Sequence, residues 1–299
     1  MTFYDYDLEG KVKEQHELWD IDAVVDFSRL VYRIKDVEVE RGRHGYGLEM
    51  GLRGLFLQFY YDLSDRQIEK RLRFDIAFRW FCGFEFGEPT PDHSFFCRIR
   101  KQIGTKRIGK IFNALVKKAE DDGFIRNVFT FVDATTIKSK ETTWSERDKA
   151  IKEGEEKLNN KNIASYSADK DARFGCKGTN KFWFGYKETD AVDMGSGLKK
   201  KVAVTLANVP DQDAFKHVCP KGGMVMADKG YCLKAAQDEM KKNGCHSGAV
   251  LKNNMKGKNK DRDRWITRVR APFEGVFSKR SKRARYRGIA KTQLQAFCE

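Results

Sequence analysis

A short apolar run that stops on an aspartate constrains this chain more than any other feature. Met224-Val225-Met226-Ala227 leads into Asp228, then the pair Lys229-Gly230, then a stretch from Tyr231 to Asn243 patterned as a helix ending at Gly244. Strand, acid, turn and helix in that order describe a buried strand of an α/β domain. Ligands of such domains gather at the carboxyl ends of the strands. Val128-Phe129-Thr130-Phe131-Val132 runs into Asp133 in the same way. An aspartate after a strand is also a common turn or cap residue, so for Asp228 taken alone both readings stand.

Between and after these strands the pattern is mixed. Residues 138–180 are polar and charged, which predicts a loop with a short helix around Arg147–Leu158. Phe182–Asp193 and Lys200–Asn208 read as strands joined over Gly195-Ser196-Gly197, a hairpin. A short helix follows Pro210, and Gly248-Ala249-Val250-Leu251 is a last short strand. Lys252–Lys260 is too charged to pack and reads as a loop. From Trp265 the pattern turns helical, with Ile266, Val269, Phe273, Val276 and Phe277 on one face. Pro272 either kinks that helix or starts its main part, which puts Glu274 in a first turn, one turn from Arg270. A first-turn acid favoured by the helix dipole and paired with Arg270 is the plain structural reading of Glu274.

The first 126 residues read as a separate, mostly helical domain, with 127–299 as the α/β domain. Leu18, Ile21, Val24, Val25, Phe27, Leu30 and Val31 recur at helical spacing, and Leu48–Tyr61 is apolar nearly all round, so it should be buried. Ser64 with Gln67 three residues on is a capping-box pattern that starts a helix to about Leu72. Thr90-Pro91-Asp92-His93-Ser94 caps a helix Phe95–Ile103, followed by another at Ile108–Gly123. Short helices with tight turns, one of them carrying Arg66, Lys70, Arg71 and Arg73, permit a helix-turn-helix reading, although most such pairs only pack on each other.

Charge narrows the partners. The net charge is +15 over 299 residues, and residues 252–291 carry 15 Lys/Arg against Asp261, Asp263 and Glu274. So concentrated a basic segment predicts a polyanion, nucleic acid before anionic membrane, because its apolar residues pattern as core rather than as a lipid-facing stripe. No apolar run approaches the roughly 18 residues that span a bilayer. No signal peptide precedes the acidic opening, so the expectation is a cytoplasmic protein. Seven cysteines with no C-x-x-C pair form neither a disulfide framework nor a zinc-finger spacing. Cys232, Cys245 and His246 could meet around a metal, and small core residues is the plainer reading of the thiols.

Asp133, Asp228 and Glu274 acquire meaning together. Two acids on core strands and a third on a late helix can converge, and close carboxylates raise one another's pKa unless cations neutralise them. Hard oxygen donors suit Mg²⁺, which leaves room for substrate phosphate. Two such ions serve in-line phosphoryl displacement. Beside the basic segment this reads as a metal-dependent nuclease or strand-transfer enzyme.

The motifs then resemble a family. Arg41-Gly42-Arg43, Leu48-Glu49-Met50, Leu57-Gln58-Phe59-Tyr60-Tyr61-Asp62-Leu63-Ser64-Asp65 and Thr90-Pro91-Asp92-His93-Ser94 resemble the N-terminal helical domain of insertion sequence five DDE transposases. Phe184-Gly185-Tyr186-Lys187 and Ala207-Asn208-Val209-Pro210-Asp211 resemble the strands between its catalytic blocks, and Val132-Asp133-Ala134-Thr135, Ala227-Asp228-Lys229-Gly230-Tyr231 and Arg268-Val269-Arg270-Ala271-Pro272-Phe273-Glu274 resemble those blocks. So do Phe277, Arg285-Tyr286-Arg287-Gly288 and Ala290-Lys291. Each block is modest alone; in order, over nearly the whole chain, they are specific.

That resemblance implies an α/β (α+β overall) chain, a ribonuclease-H-like mixed sheet preceded by an all-helical DNA-binding or dimerisation domain. It implies binding to the element's terminal inverted repeats, cleavage there, and joining of the 3′-OH ends to target DNA, with no small-molecule cofactor and no membrane. Asp133, Asp228 and Glu274 would hold two Mg²⁺, for which Mn²⁺ can substitute, and a homodimer would hold two ends. Arg270 would orient Glu274 or contact phosphate. Lys279, Arg280, Lys282, Arg283, Arg285, Arg287 and Lys291 would grip the DNA backbone, with Arg66, Lys70 and Arg71 on the helical domain. On DNA the protein would be nucleoid-associated. Related families carry a tyrosine seven residues before the glutamate and a lysine seven after; here Thr267 and Ser281 stand there, with Lys279, Arg280 and Lys282 as the basic residues at hand. Rival readings are a non-mobile nuclease on the same fold and an inactive or co-opted copy that only binds DNA.

Overall fold

The computed structural model describes residues 16–34, 46–139, 144–154, 157–178, 181–251, 255, 257 and 259–271. The chain divides into two compact units, Met1–Ala114 and Leu115–Glu299.

The described residues of the first unit are helices and turns. Helices α1 (Glu17–Val24) and α2 (Phe27–Tyr32) replace the single amphipathic stretch of the sequence reading. The chain turns extended at Val25, and Asp26 caps α2 by accepting from Arg29 N. Helix α3 (Leu48–Tyr60) is followed by α4 (Asp65–Phe74), whose capping box forms as the Ser64/Gln67 spacing predicts. Asp75 caps α5 (Ile76–Cys82), and α6 (His93–Asp121) runs on from Asp92, with its helical geometry broken at Gly104. Gly51 and Gly54 let α3 lie against Ile99 and Phe96 of α6, where a methyl group on either glycine would collide. Leu18, Phe27, Leu57, Ile68, Leu72, Phe81, Phe96 and Ile103 form the core. Arg100 ties three helices by donating to Asp65 and Gln58. The buried Arg79 satisfies the carbonyls of Leu72, Glu85 and Glu88, which pins the turn that leads to α6.

The second unit is built on a six-stranded mixed sheet: β1 (Phe129–Lys138), β2 (Arg173–Lys177), β3 (Lys181–Asp193), β4 (Lys199–Leu206), β5 (Met224–Ala227) and β6 (His246–Ala249). Strand β3 is antiparallel to β1, while β5 and β6 run parallel to β1 and to each other. Along the far edge of β3, β2 pairs with residues 181–185 and β4 with residues 186–192. The order β4-β3-β1-β5-β6, with one antiparallel meander and two parallel additions, is a ribonuclease-H-like core; β2 is an extra strand on its edge. The β3–β4 hairpin turns where Gly195-Ser196-Gly197 predicts it, with Asp193 Oδ2 accepting from Gly195 N and Ser196 N.

Alternation sorts the side chains to two faces. On one, Val132, Ala191, Val225 and Ala227 pack against Phe215 and Val218 of α9 (Asp211–Val218) and Ala236 and Met240 of α10 (Lys234–Lys242). On the other, Phe131, Val192, Met226 and Val250 pack against Ile266 of the last described helix, α11 (260–271). Farther along that face Ile137, Phe184, Tyr186 and Val204 close over Ile163 of α8 (Ile163–Tyr166), which follows α7 (Trp144–Lys152).

Four sequence expectations change here. Strand β1 does not end at Asp133 but runs on to Lys138, because β3 is long enough to pair with it as far as Gly185. The segment read as loop contributes β2, whose partner is β3 rather than any hydrophobic pattern of its own. After Asp228 the chain makes a 3-10 turn, Lys229–Cys232, before α10 begins. Helix α11 starts at 260, within the stretch read as loop, because Asn259 accepts from the backbone of Asp261 and Arg262.

Gly185 is where β1, β2 and β4 all meet β3. Its φ is +144°, and a Cβ there would overlap the Ile137 carbonyl oxygen. Gly185→Ala is therefore expected to lower stability by about 2 kcal/mol or more, since backbone rather than a movable side chain must give way. A melting temperature equal to that of the parent would show the close approach to be relaxed in solution.

Candidate active site

The pairing of β1 with β5 ends at Val132 opposite Ala227, so the next residue of each strand is an aspartate. Parallel neighbours lie about 4.8 Å apart. Asp133 and Asp228 thus leave the sheet side by side, at the point where β5 stops and β1 continues. Asp133 follows Phe131 on the face covered by α11. Its Oδ1 accepts from Ala134 N at 2.8 Å, and Asp228 Oδ1 accepts from Lys229 N at 2.7 Å. Among the described residues, Oδ1 is the oxygen each carboxylate has engaged in a hydrogen bond.

Arg270 comes down from α11 onto this pair. Its guanidinium is buried, lies over the Phe131 ring at 5.2 Å and reaches Asp228 Oδ1 at 3.6 Å. Burial pushes the Asp133 carboxyl above the usual carboxylate range. The Ala134 N–H, Arg270 and Lys177 pull it back only in part, and the charge of Asp228 adds to the rise. Asp228 differs in being 57% exposed at its side chain. One acid is half-buried and reluctant to ionise while its neighbour faces solvent, and both lie close to one fixed cation.

Further charged groups surround the pair. Asp190 of β3 lies directly opposite Asp133 and is almost wholly buried. Like charges in that relation repel; Lys199 meets the problem by pairing with both Asp190 and Glu188. Lys187 of β3 holds Asp211, at the start of α9, at 2.7 Å, and Asp211 lies against Gly230 of the turn after Asp228. Tyr231 ends that stretch, with its ring against Phe215 and its hydroxyl buried. Nothing local in the sequence assigned Asp190, Lys199, Lys187 or Asp211 to the site; Lys187 and Asp211 stood out only within the blocks that resemble the family. For Asp190 the signal is strand register, which pairs residues 57 positions apart (133 with 190) and cannot be read from local pattern.

The structure brings Asp133, Asp228 and Arg270 together. Glu274, Lys279, Arg280, Lys282, Arg283, Arg285, Arg287 and Lys291 lie outside the described residues. Arg66, Lys70 and Arg71 are exposed on α4 of the first unit, Arg71 in a pair with Asp75. Cys232 and Cys245 are buried in the core around α10, and no group of three or more His, Cys, Asp and Glu side chains is assembled among the described residues. Two hard carboxylates on adjacent strand ends, with Oδ2 of each not yet hydrogen-bonded among the described residues, suit a divalent cation as donors. No described helix is long and apolar enough to cross a membrane.

Comparison with known proteins bears directly on this arrangement. The family model "Transposase DDE domain" matches residues 126–295, more than half of the chain and the whole of the sheet. The chain belongs to the transposase DDE domain family. A second model, "Transposase domain (DUF772)", matches residues 6–102, and the two in tandem agree with the insertion sequence five resemblance. Among solved structures, the Mos1 transposase paired-end complex with left transposon end is 9% identical, with 86% of each chain covered and a TM-score of 0.21, too low to bear on fold or function. The family membership makes this DDE protein a transposase, and the strand order above is the mixed α/β core expected of it.

Proposed function

We propose that this DDE transposase binds the terminal inverted repeats of its own element, cleaves DNA there and joins the freed 3′-OH ends to target DNA. Asp133, Asp228 and Glu274 would hold two Mg²⁺ ions, with Mn²⁺ able to substitute. The observation that carries this reading is the juxtaposition of Asp133 and Asp228 at the end of β5, beside the buried guanidinium of Arg270. When bound, two such ions supply Lewis acidity on both sides of an in-line phosphoryl displacement.

The chain's own groups do the rest. The backbone N–H groups of Ala134 and Lys229 fix one oxygen of each aspartate and leave the other without a hydrogen bond among the described residues. Arg270 keeps a positive charge beside Asp228 and favours the ionised form of Asp133. Lys279, Arg280, Lys282, Arg283, Arg285, Arg287 and Lys291 would neutralise DNA phosphates next to the site, which makes binding strongly salt-dependent. In the 1–126 domain, Arg66, Lys70 and Arg71 line the exposed side of α4 and would contact the backbone of the element end. Catalysis is assigned to 127–299. Two ends must be held at once, so the working form would be a homodimer, in the cytoplasm on the nucleoid.

The test is cleavage of a labelled duplex carrying the putative element end, with Mg²⁺ or Mn²⁺, for the parent protein and Asp228→Asn. Cleavage by the parent alone is expected. Binding without cleavage by either protein would favour a copy that only binds DNA. Undiminished cleavage by Asp228→Asn would mean the site lies elsewhere.

A further inference from the structure

Three lysines in a row on β4 reach three different places. Lys201 Nζ donates to the Cys219 carbonyl at 2.5 Å, at the end of α9, and Lys200, itself buried, donates to Thr130 Oγ1 at 3.0 Å. Lys199 goes to the other face of the sheet, where it pairs with Asp190 and, at 3.2 Å, with Glu188. Strict alternation would not send it there. The β3–β4 register steps from Ala191 opposite Lys201 to Val192 opposite Lys199, which leaves Lys200 over as a bulge. In an unbroken ladder Val192 would face Lys200, and Lys199 would stand opposite Asp193, on the face of Val132 and Ala191. Bulges re-aim side chains and are over-represented next to active sites.

The place Lys199 is sent to adjoins the acids. Asp133 has a carboxylate on each side of it in the sheet: Asp228 after the end of β5, and Asp190 directly opposite on β3. Directly opposed residues of an antiparallel pair share a face, with Cβ atoms about 4.5–5.5 Å apart. Glu188 lies on that face too, opposite Thr135. Asp190 is 1% exposed and Glu188 6%. Carboxylates so deeply buried demand a cation, and their hard oxygens suit a divalent ion as well as an ammonium. A divalent ion arriving at Asp133 therefore meets acids on two sides. On the Asp190 side an ammonium is already seated between two buried carboxylates. On the other, Asp228 is 57% exposed and Arg270 stands off at 3.6 Å.

We propose that Lys199 is a positioning residue of the DDE site: its ammonium fills the cation position between Asp190 and Glu188, so that a divalent ion at Asp133 is held on the Asp228 side. The inference rests on the metal-dependent reading of Asp133 and Asp228. The lysine acts by occupancy. A tethered ammonium takes the room, and offsets one of the two negative charges, that a divalent ion would use there, and dilution cannot remove it. It also engages Asp190 Oδ2, an oxygen that a metal between Asp133 and Asp190 would need. The bulge at Lys200 is what delivers it to that face.

The experiment is a thermal melt of the full chain, without DNA, across a titration of Mg²⁺ or Mn²⁺, for the parent, Asp228→Asn, Lys199→Ala, Lys199→Arg and the double variant Asp228→Asn/Lys199→Ala. The parent is expected to gain melting temperature with cation, and Asp228→Asn to need about 10-fold more cation or worse for the same gain. Lys199→Ala should melt lower than the parent without cation, because two buried acids lose their shared partner, and should gain more from cation than the parent does. Lys199→Arg keeps the charge and should follow the parent's cation dependence. The double variant should recover the gain that Asp228→Asn lost, the Asp190 side now being open. If truncation to alanine prevents folding, adding Glu188→Gln to it leaves one buried acid fewer and keeps Asp133 and Asp190 as the pair, with the same recovery expected. A variant of either kind that gains no more than Asp228→Asn would overturn the inference and leave the site reading intact. A parent that gains nothing with either metal, or an Asp228→Asn protein that gains as much as the parent, would overturn the metal reading and this inference together.

Discussion

Asp133→Asn is expected to melt at a higher temperature than the parent at neutral pH without divalent cations, and to cut an element end about 10³-fold more slowly or worse. The two effects have one origin. Burial is the largest influence on the Asp133 carboxyl and holds its pKa above the ordinary value, with Asp228 adding to the rise. For a group raised in the folded state, the favourable contribution is complete below the unfolded pKa and disappears as pH climbs through the folded one. Above both values the ionised Asp133 is a standing strain on the cation-free fold. Asparagine keeps the shape and drops the charge. The stabilisation should narrow as pH falls towards the unfolded value, where parent and variant both carry a neutral side chain. Melting curves at several pH values check this, and an Asp133→Asn protein that melts lower at neutral pH would show that burial is not the dominant influence. The same substitution removes a hard donor from the site, so activity is lost where stability is gained.

Arg270→Met should leave the fold within about 1–2 kcal/mol of the parent and slow cleavage by about 10²-fold. Arg270 is buried, its Nε has no partner among the described residues, and its attachment to Asp228 at 3.6 Å is longer than a hydrogen bond. An apolar chain of similar length over the Phe131 ring can replace much of its packing. What it cannot replace is the positive charge that opposes the rise of the Asp133 carboxyl. The acid limb of the cleavage–pH profile should therefore move to higher pH in Arg270→Met. Arg270→Lys should restore it incompletely, because an ammonium neither lies flat on the ring nor offers the planar fork. Single-turnover cleavage rates across pH provide the readout, and an unmoved acid limb would dissociate Arg270 from the acids.

Much of the scaffold was legible because it is local. The Ser64–Gln67 box, the Asp92 cap and the turn at Gly195-Ser196-Gly197 each depend on hydrogen bonds among residues a few positions apart, and the strand leading to Asp228 shows as a short apolar run. Strand β2 was not legible for the opposite reason. Phe174 and Cys176 alternate with Arg173, Gly175 and Lys177, too weak a pattern to stand without β3, and Gly175 is there because the Ala207 backbone crosses it closely. The continuation of β1 past Asp133 likewise follows from the length of its partner.

The site divides along the same line. Asp133 and Asp228 stood out from sequence because each ends a buried apolar run, and the basic segment beside Glu274 was plain from charge alone. Their adjacency was decided by the pairing of β1 with β5, across 95 residues of chain (133 to 228). Arg270 illustrates the difference: helical spacing points it one turn from Glu274, whereas packing of α11 on Phe131 sets its guanidinium against Asp228. Tyr231 read as the opening of a helix, and only the folded core makes its hydroxyl a buried donor with no acceptor among the described residues. Periodicity and capping are written in neighbouring residues, so sequence by itself determined most of the helices, the capped turns and the apolar strands that end on Asp133 and Asp228. Register, burial and the partner of each charge come from segments that meet only when the sheet forms, and those the tertiary structure alone decided.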